Sequence, residues 1–282
     1  MAKILKADPL YTRLKEALKK EIQKSPAMAL ASLRICEAYC SDVYYLSQKK
    51  LAQELGVEYV DVALAPDTTL TQALDKIEEC NRDPRITGII ANKPFPQAWN
   101  EEAVFSRIER TKDIEGMHPF NLGKLVMGEP LFVSPTVLST LEFLKMAQGD
   151  LYGKEIVIVG FSSLIGKPLA LLLGKQMATV TITHIATFER QSLPEHLSRA
   201  DVIISAVGKP NLIKGEWIKQ GAIVIDVGIG ELDGKIAGDI EFESVSKKAS
   251  FITSVPGGVG KLTTLFLFKN LLAAAGRRQV SS

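Results

Sequence analysis

Tyr44 and Gln48 stand four residues apart in the stretch YYLSQKK, residues 44–50, so on a helix they share one face, a turn apart. An amide in that place can hydrogen-bond but cannot titrate, so the face offers positioning rather than proton transfer. The cations of the stretch, Lys49 and Lys50, come one and two positions later. Each residue rotates a helix by about 100°, which carries Lys49 off the face of Tyr44.

A second group lies in GFSSLIGKP, residues 160–168, between an apolar strand and a helix. Gly160 lets the chain turn tightly off the strand, and Gly166 allows close helix packing with backbone N–H groups facing a pyrophosphate. Tight strand-to-helix packing alone also needs such glycines. The dinucleotide reading gains from two later strands that end in SAVG and DVG, whose Ala206-Val207-Gly208 and Val227-Gly228-Ile229 would flank a nicotinamide. The second strand of such a unit ordinarily ends in an acid for a ribose diol or in cations for a 2′-phosphate. Here His184, Ile185, Ala186 and Thr187 offer neither.

Other chemistry is thin. Cys36, Cys40 and Cys80 form no Cys-x-x-Cys pair and the three histidines are scattered, so the expectation is buried thiols and no metal. Lys+Arg 34 against Asp+Glu 32 leaves a net charge of +2, which gives no field to recruit nucleic acid or a membrane surface. The N-terminus carries charges throughout, and no apolar run reaches the roughly 18 residues of a membrane span. A cytoplasmic protein is expected.

These groups must be positioned by 282 residues, 46% of them hydrophobic, enough for one large or two ordinary domains. Helical spacing over 10–24 precedes SLRICEAY (32–39), which reads as a strand. A helix over about 42–55 ends near Gly56, and VEYVDVAL (57–64) reads as the next strand. TTLTQALDKIEECNRD (68–83) then reads as a helix, TGIIAN (87–92) as a strand and KPFP as a turn. That alternation predicts a parallel sheet covered by helices.

A new unit starts at about 134. SPTVLSTLEFLKMA is an amphipathic helix, and KEIVIVG, TVTITHIA, DVIISAVG and AIVIDVGI are four short apolar strands, with a helix near 193–199 and another from Leu262 to about Ala275. Such strands are what a doubly wound sheet requires.

Taken together, KDIEGMHPFNLGKL (112–125), GFSSLIGKP, ATVTITHIAT (178–187), ADVIISAVGKP (200–210), AIVIDVGI (222–229), GDI (238–240) and SVPGGVGKLT (254–263) give a pattern that covers nearly the whole chain in order. It resembles the bifunctional 5,10-methylenetetrahydrofolate dehydrogenase/5,10-methenyltetrahydrofolate cyclohydrolase family, known as FolD. The resemblance implies an α/β chain: an N-terminal three-layer α/β folate-binding domain, a C-terminal Rossmann-like doubly wound parallel sheet for NADP, and an active-site cleft between them. It places the first domain at 1–133, with a C-terminal helix, 262–282, packing back on it, and the second at 134–261. It further implies a homodimer and a folate or related pterin substrate.

The family's S-x-x-Y-V-x-x-K sets a tyrosine against the pterin and a lysine beside the reacting carbon. Ser41 and Tyr44 match, but the lysine's position is Gln48. The family glutamine that hydrogen-bonds this lysine falls on Asn92, and in K-D-V-D-G the second aspartate, which holds the pterin, falls on Glu115. The resemblance thus assigns Tyr44, Gln48, Asn92 and Glu115 to catalysis. Substrate contacts fall on Ser41, Tyr44, Asp113, Glu115 and the loop of Pro256, Gly257 and Gly258, although Asp113 also suits a helix or turn cap. Nucleotide contacts fall on Gly160, Phe161, Ser162, Ile165, Gly166, Ile185, Thr187, Val207, Gly208, Val227, Gly228 and Ile229. Phe161 and Ile185 stand where the family's arginine and serine hold the 2′-phosphate, so NAD is favoured over NADP. Cys36 replaces a family glycine, and SPTVLS at 134–139 keeps only Thr136 of P-C-T-P-x-G. Asp239 is expected to stabilise a turn, and Lys261 is a candidate cation for a ligand's carboxylate or phosphate.

Hydride loss from a methylene carbon between two nitrogens leaves a delocalised cation and chiefly needs positioning, whereas hydrolysis of the methenyl product needs a titrating group. The expectation is therefore a dehydrogenase with weak or absent cyclohydrolase activity. Two alternatives stay open: a dehydrogenase for another pterin one-carbon carrier, and a catalytically silent relative that binds a ligand or a partner.

Overall fold

The computed structural model describes residues 1–35, 39–147 and 149–280, with the side chains of 39–43 and 278–280 outside the description. Two compact units emerge, residues 1–11 with 136–263 and residues 12–135 with 264–282.

In chain order the first elements are β1 (Lys3–Leu5), α1 (Asp8–Ile22), β2 (Ala29–Ile35), α2 (Tyr39–Leu55), β3 (Glu58–Leu64), α3 (Leu70–Arg82), β4 (Ile86–Ala91), α4 (Glu101–Arg107), α5 (Pro119–Val126) and α6 (Pro135–Ala147). Next come β5 (Glu155–Val159), α7 (Gly166–Lys175), β6 (Thr179–Thr183), α8 (Ile185–Glu189), α9 (Leu193–Arg199), β7 (Val202–Ser205) and β8 (Ile223–Asp226). The chain finishes with β9 (Gly230–Leu232), β10 (Lys235–Ala237), α10 (Phe242–Lys248), β11 (Phe251–Thr253) and α11 (Val259–Val280).

The unit of residues 12–135 and 264–282 is built on a parallel three-stranded sheet, ordered β3-β2-β4. Every residue of β4 is buried, as are the first five of β2, which suits a strand covered on both faces. Helix α3 starts at a capping box in which the Thr69 hydroxyl accepts from Gln72 N and the Gln72 side chain accepts from Thr69 N. Its far end is closed by the buried Lys112, whose ammonium donates to the carbonyls of Cys80 (3.0 Å), Asn81 (2.6 Å) and Asp83 (2.9 Å). Helix α11 packs where β4 carries Gly88: a Cβ there would lie 2.7 Å from Leu271 Cδ1 and 2.8 Å from Ile114 Cγ2.

The other unit holds a six-stranded sheet, ordered β1-β11-β8-β7-β5-β6, whose pairs are all parallel. Its core joins Val157, Ile203, Val224 and Ile252 of the strands to Leu193 and Leu197 of α9 and Val245 of α10. From β5 the chain passes to β6 on one side and then to β7 on the other, so the order reverses beside β5. In such sheets the carboxyl ends at that reversal are where ligands bind.

Several sequence expectations shift. The strand read at 32–39 begins at Ala29 and ends at Ile35, and Tyr39 already belongs to α2. The strand read at 179–186 stops at Thr183, because His184 opens α8 with Thr187 in a capping box, so Ile185 lies on a helix. The last helix runs over 259–280 rather than 262–275. No element was expected at β1, which adds an edge strand beside β11.

Candidate active site

On the three-stranded sheet the register puts Leu30 opposite Tyr59 and Gly88, and Ser32 opposite Asp61 and Ile90. Strand alternation then sends Ser32, Tyr59 and Asn92 to one face. Helix α2 lies against it. Gln48 of α2 is fully buried, and its Nε2 donates to Asn92 Oδ1 at 3.2 Å. The Tyr59 hydroxyl donates to Gln48 Oε1 at 2.9 Å, and Ser32 Oγ donates to the same oxygen at 3.4 Å. Asn92 Nδ2 in turn donates to Ser32 Oγ (2.8 Å) and to the Leu33 carbonyl (3.1 Å).

Tyr44, one turn before Gln48, is half-buried. Burial pushes its phenol well up, the nearby Glu115 carboxylate adds to the rise, and the Gln48 amide draws it back. Glu115 is itself half-buried, and none of the described residues hydrogen-bonds its carboxylate. Burial first, then the charge of Asp113, push it up to about 8, with Lys93 opposing. The rise favours the protonated form, which can donate a hydrogen bond.

The turn that presents Glu115 is fixed on both sides. Asp113 Oδ1 accepts from Met117 N (3.1 Å), and Oδ2 accepts from His118 N (2.8 Å) and Asn121 Nδ2 (2.7 Å). Asp113 is thus 1% exposed and caps the turn leading into α5. From α11, Asn270 Nδ2 donates to the carbonyls of Ile114 (2.8 Å) and Val133 (2.9 Å). The structure therefore brings together Tyr44, Gln48, Asn92 and Glu115, with Asp113 as their brace. The side chain of Ser41 lies outside the described residues.

Neither neighbouring lysine hydrogen-bonds a member of this group, although the charge of Lys93 is felt at Glu115. Lys49 Nζ lies 5.9 Å from the Tyr45 ring centre, and Lys93 pairs with Glu101. Sequence reasoning missed Ser32 and Tyr59. A signal existed for Ser32, a lone polar residue inside the apolar run ALASL.

In the six-stranded unit the loops after β5, β7 and β8 meet. Gly160 has φ 113°, and a Cβ there would lie 2.6 Å from the Ala206 carbonyl. A Cβ on Gly166 would lie 2.2 Å from the Gly160 carbonyl, so the turn into α7 closes only around two bare α-carbons. Ser162 shapes it further, its Oγ accepting from Ile165 N at 3.2 Å. Gly208 (φ 70°) sits with its α-carbon facing the Ile229 carbonyl. Beside this cradle Val207 (40% exposed) and Ile229 (54%) present apolar surface, while Val227 is buried. A glycine cradle at a helix start and exposed apolar side chains at the strand-order reversal suit a dinucleotide's pyrophosphate and ring.

At the other end of that cradle Phe161 (48% exposed) and Ile185 (62%) are open to solvent, and the Lys167 ammonium lies 5.3 Å from the Phe161 ring centre. Thr187, assigned to the nucleotide, accepts from His184 N through its Oγ1 at 3.3 Å.

Two buried carboxylates, Asp239 of GDI and Asp226 of AIVIDVGI, hold the strand-end loops. Asp239 accepts from Ser205 Oγ (2.8 Å), Val207 N (2.8 Å) and Lys209 N (2.7 Å). Asp226 accepts from Gly228 N, Asp239 N and Ile240 N, each at 3.1 Å. Burial, and then the charge of Asp239, push Asp226 up to about 7. Asp239 thus braces the loop after β7. The Pro256-Gly257-Gly258 loop leads into α11, and Lys261 beyond it pairs with Asp8 and lies 5.3 Å from the Tyr11 ring centre.

Among the described residues no three His, Cys, Asp or Glu side chains gather as a metal site, and no helix is long and apolar enough to cross a membrane.

Comparisons agree with both halves. Residues 5–115 match the family model of the tetrahydrofolate dehydrogenase/cyclohydrolase catalytic domain, and residues 134–279 match that of its NAD(P)-binding domain. The chain is 42% identical over 279 residues to a bifunctional protein FolD of Acetivibrio thermocellus, covering 97% of each. Among solved structures, the bifunctional FolD of Campylobacter jejuni matches with a TM-score of 0.91 and 35% identity over 99% of this chain and 100% of that one. The Trypanosoma brucei methylenetetrahydrofolate dehydrogenase-cyclohydrolase, solved with NADP and an inhibitor, matches with a TM-score of 0.92 and 28% identity over 100% and 99%.

Proposed function

The chain belongs to the tetrahydrofolate dehydrogenase/cyclohydrolase family, and from that premise we propose that it oxidises 5,10-methylenetetrahydrofolate to 5,10-methenyltetrahydrofolate, with hydrolysis to 10-formyltetrahydrofolate weak or absent. The observation that carries this reading is Gln48: fully buried, bonded through both ends of its amide, and unable to titrate.

The two reactions ask different things of this chain. A bound nicotinamide nucleotide supplies the hydride acceptor. Tyr44 and Glu115 bind and orient the pterin, and the protonated Glu115 carboxyl offers a donor to an acceptor atom on its edge. The cation left at the carbon is shared by two nitrogens, so no proton need move in that step. Hydrolysis adds water at the same carbon and then breaks a carbon–nitrogen bond, which requires proton transfers that typically contribute about 10²–10⁴-fold. Gln48 cannot supply them. Assays of wild type and Gln48→Lys for both reactions test this: wild type should transfer hydride, and hydrolysis should appear only in the variant. Strong hydrolysis by wild type would overturn the reading.

NAD is the favoured nucleotide, because exposed Phe161 and Ile185 give a 2′-phosphate neither charge nor hydroxyl at their positions. Losing such charge-assisted contacts costs about 1.5–3 kcal/mol each. Calorimetric binding of both nucleotides decides the point, and a tenfold preference for NADP would reverse it. The longer, protonated carboxyl of Glu115 also favours a second reading, another pterin one-carbon carrier, which a screen of reduced pterins separates from the first. Turnover of either class eliminates a catalytically silent role. The same premise carries a cytoplasmic homodimer, whose mass sedimentation would measure.

A further inference from the structure

Which end of each amide faces which partner is fixed by a chain of one-way contacts in the pocket of Gln48. The chain starts at the backbone carbonyl of Leu33, which can only accept. Asn92 must therefore turn Nδ2 toward it, at 3.1 Å, and Oδ1 away. Gln48 meets that Oδ1 at 3.2 Å and must present Nε2 to it, which leaves Oε1 pointing at Ser32 Oγ and the Tyr59 hydroxyl. Ser32 already accepts from Asn92 Nδ2 at 2.8 Å, so its own proton goes to Gln48. Tyr59 donates to the same oxygen, and burial pushes its phenol well up, so it keeps its proton. Two of the amide's three remaining bonding directions are spent, which leaves only the second N–H.

We propose that Ser32 and Tyr59 are positioning residues of this pocket: by donating to Gln48 Oε1 they hold the amide's N–H edge toward Asn92. The amide's remaining N–H is then left on the side of α2 that Tyr44, one turn away, shares. The pocket is thereby organised around a neutral amide, where the resemblance places a lysine. This inference rests on the folate reading for its kinetic test and not for its spectroscopic one.

The kinetic test is a cycle of Tyr59→Phe, Gln48→Ala and the double variant, assayed for oxidation of 5,10-methylenetetrahydrofolate. Tyr59→Phe keeps the ring and its edge contact with Tyr45, whose ring centre lies 5.8 Å away, and removes only the donor. It should raise KM about three- to tenfold with little change in kcat, as loss of one hydrogen-bond donor that organises ligand binding would. In the Gln48→Ala background the same change should have no further effect. An equal effect in both backgrounds, or none in wild type, overturns the proposal.

The spectroscopic test follows the Gln48 side-chain N–H pair by NMR, identified by its disappearance in Gln48→Ala. The pair should exchange slowly with solvent in wild type, and Tyr59→Phe and Ser32→Ala should each shift it and speed its exchange. If those shifts occur without any turnover, the folate reading fails and the positioning role stands. Turnover with unmoved resonances has the opposite meaning.

Discussion

Glu115 shows how burial changes the duty of a carboxyl. Its turn is fixed by Asp113 and Asn270, yet among the described residues its own oxygens bond nothing. Burial and the charge of Asp113 push it up to about 8 from an ordinary 4.5, so folding favours the protonated form. A carboxyl raised in this way contributes stability that is fully present below about 4.5 and is lost as the pH climbs through about 8. Denaturant midpoints of wild type and Glu115→Gln across that range should therefore diverge with rising pH, the variant becoming the relatively more stable, and converge in acid. Asp226, also raised, is common to both proteins and cancels. A constant difference across the range would mean that Glu115 is ionised throughout.

Among the elements, the strand-end loops depend on the paired acids Asp226 and Asp239, and those acids depend on glycines. A Cβ on Gly228 would lie 2.1 Å from Asp239 Cγ, and one on Gly238 would lie 2.0 Å from Asp226 Oδ2. Gly228→Ala should cost about 1–3 kcal/mol or more of stability through overpacking. It should also weaken nucleotide binding, since Asp239 would release the N–H groups of Val207 and Lys209; denaturation and calorimetry check the two effects separately. The elements themselves were largely legible from sequence, because buried parallel strands read as continuous apolar runs. Those misjudged were set by local bonds with no periodicity. The capping box at His184 halted an apparent strand, and β1, three residues long, carries no pattern to read. The same limit applied to the site. Tyr44, Gln48, Asn92 and Glu115 came from motif positions, while Tyr59 sits in a strand where an aromatic is unremarkable. Its bond to Gln48 exists only through the register of β3 on β2.

In the molecule as a whole, each unit is assembled from distant parts of the chain. Strand β1, residues 3–5, pairs with β11, residues 251–253, and α11 supplies Leu271 and Asn270 to the sheet and turn of the unit that carries Gln48. The chain passes between units three times, within α1, at the start of α6 and within α11. A chain ending at residue 250 should therefore lose the cooperative unfolding of both units, measured by circular dichroism, although its deletion removes only β11, α11 and the loop between them. Survival of one intact transition would contradict this.

That connectivity also sets a schedule for biosynthesis. A ribosome releases β1 long before its partner β11, so the six-stranded sheet cannot close until β11 has emerged. Until then the nascent chain carries β1 and β8 without their shared neighbour, an interval during which holdase chaperones would have the most to bind. The unit that carries Gln48 in turn waits for α11, which supplies Leu271 and Asn270 to it.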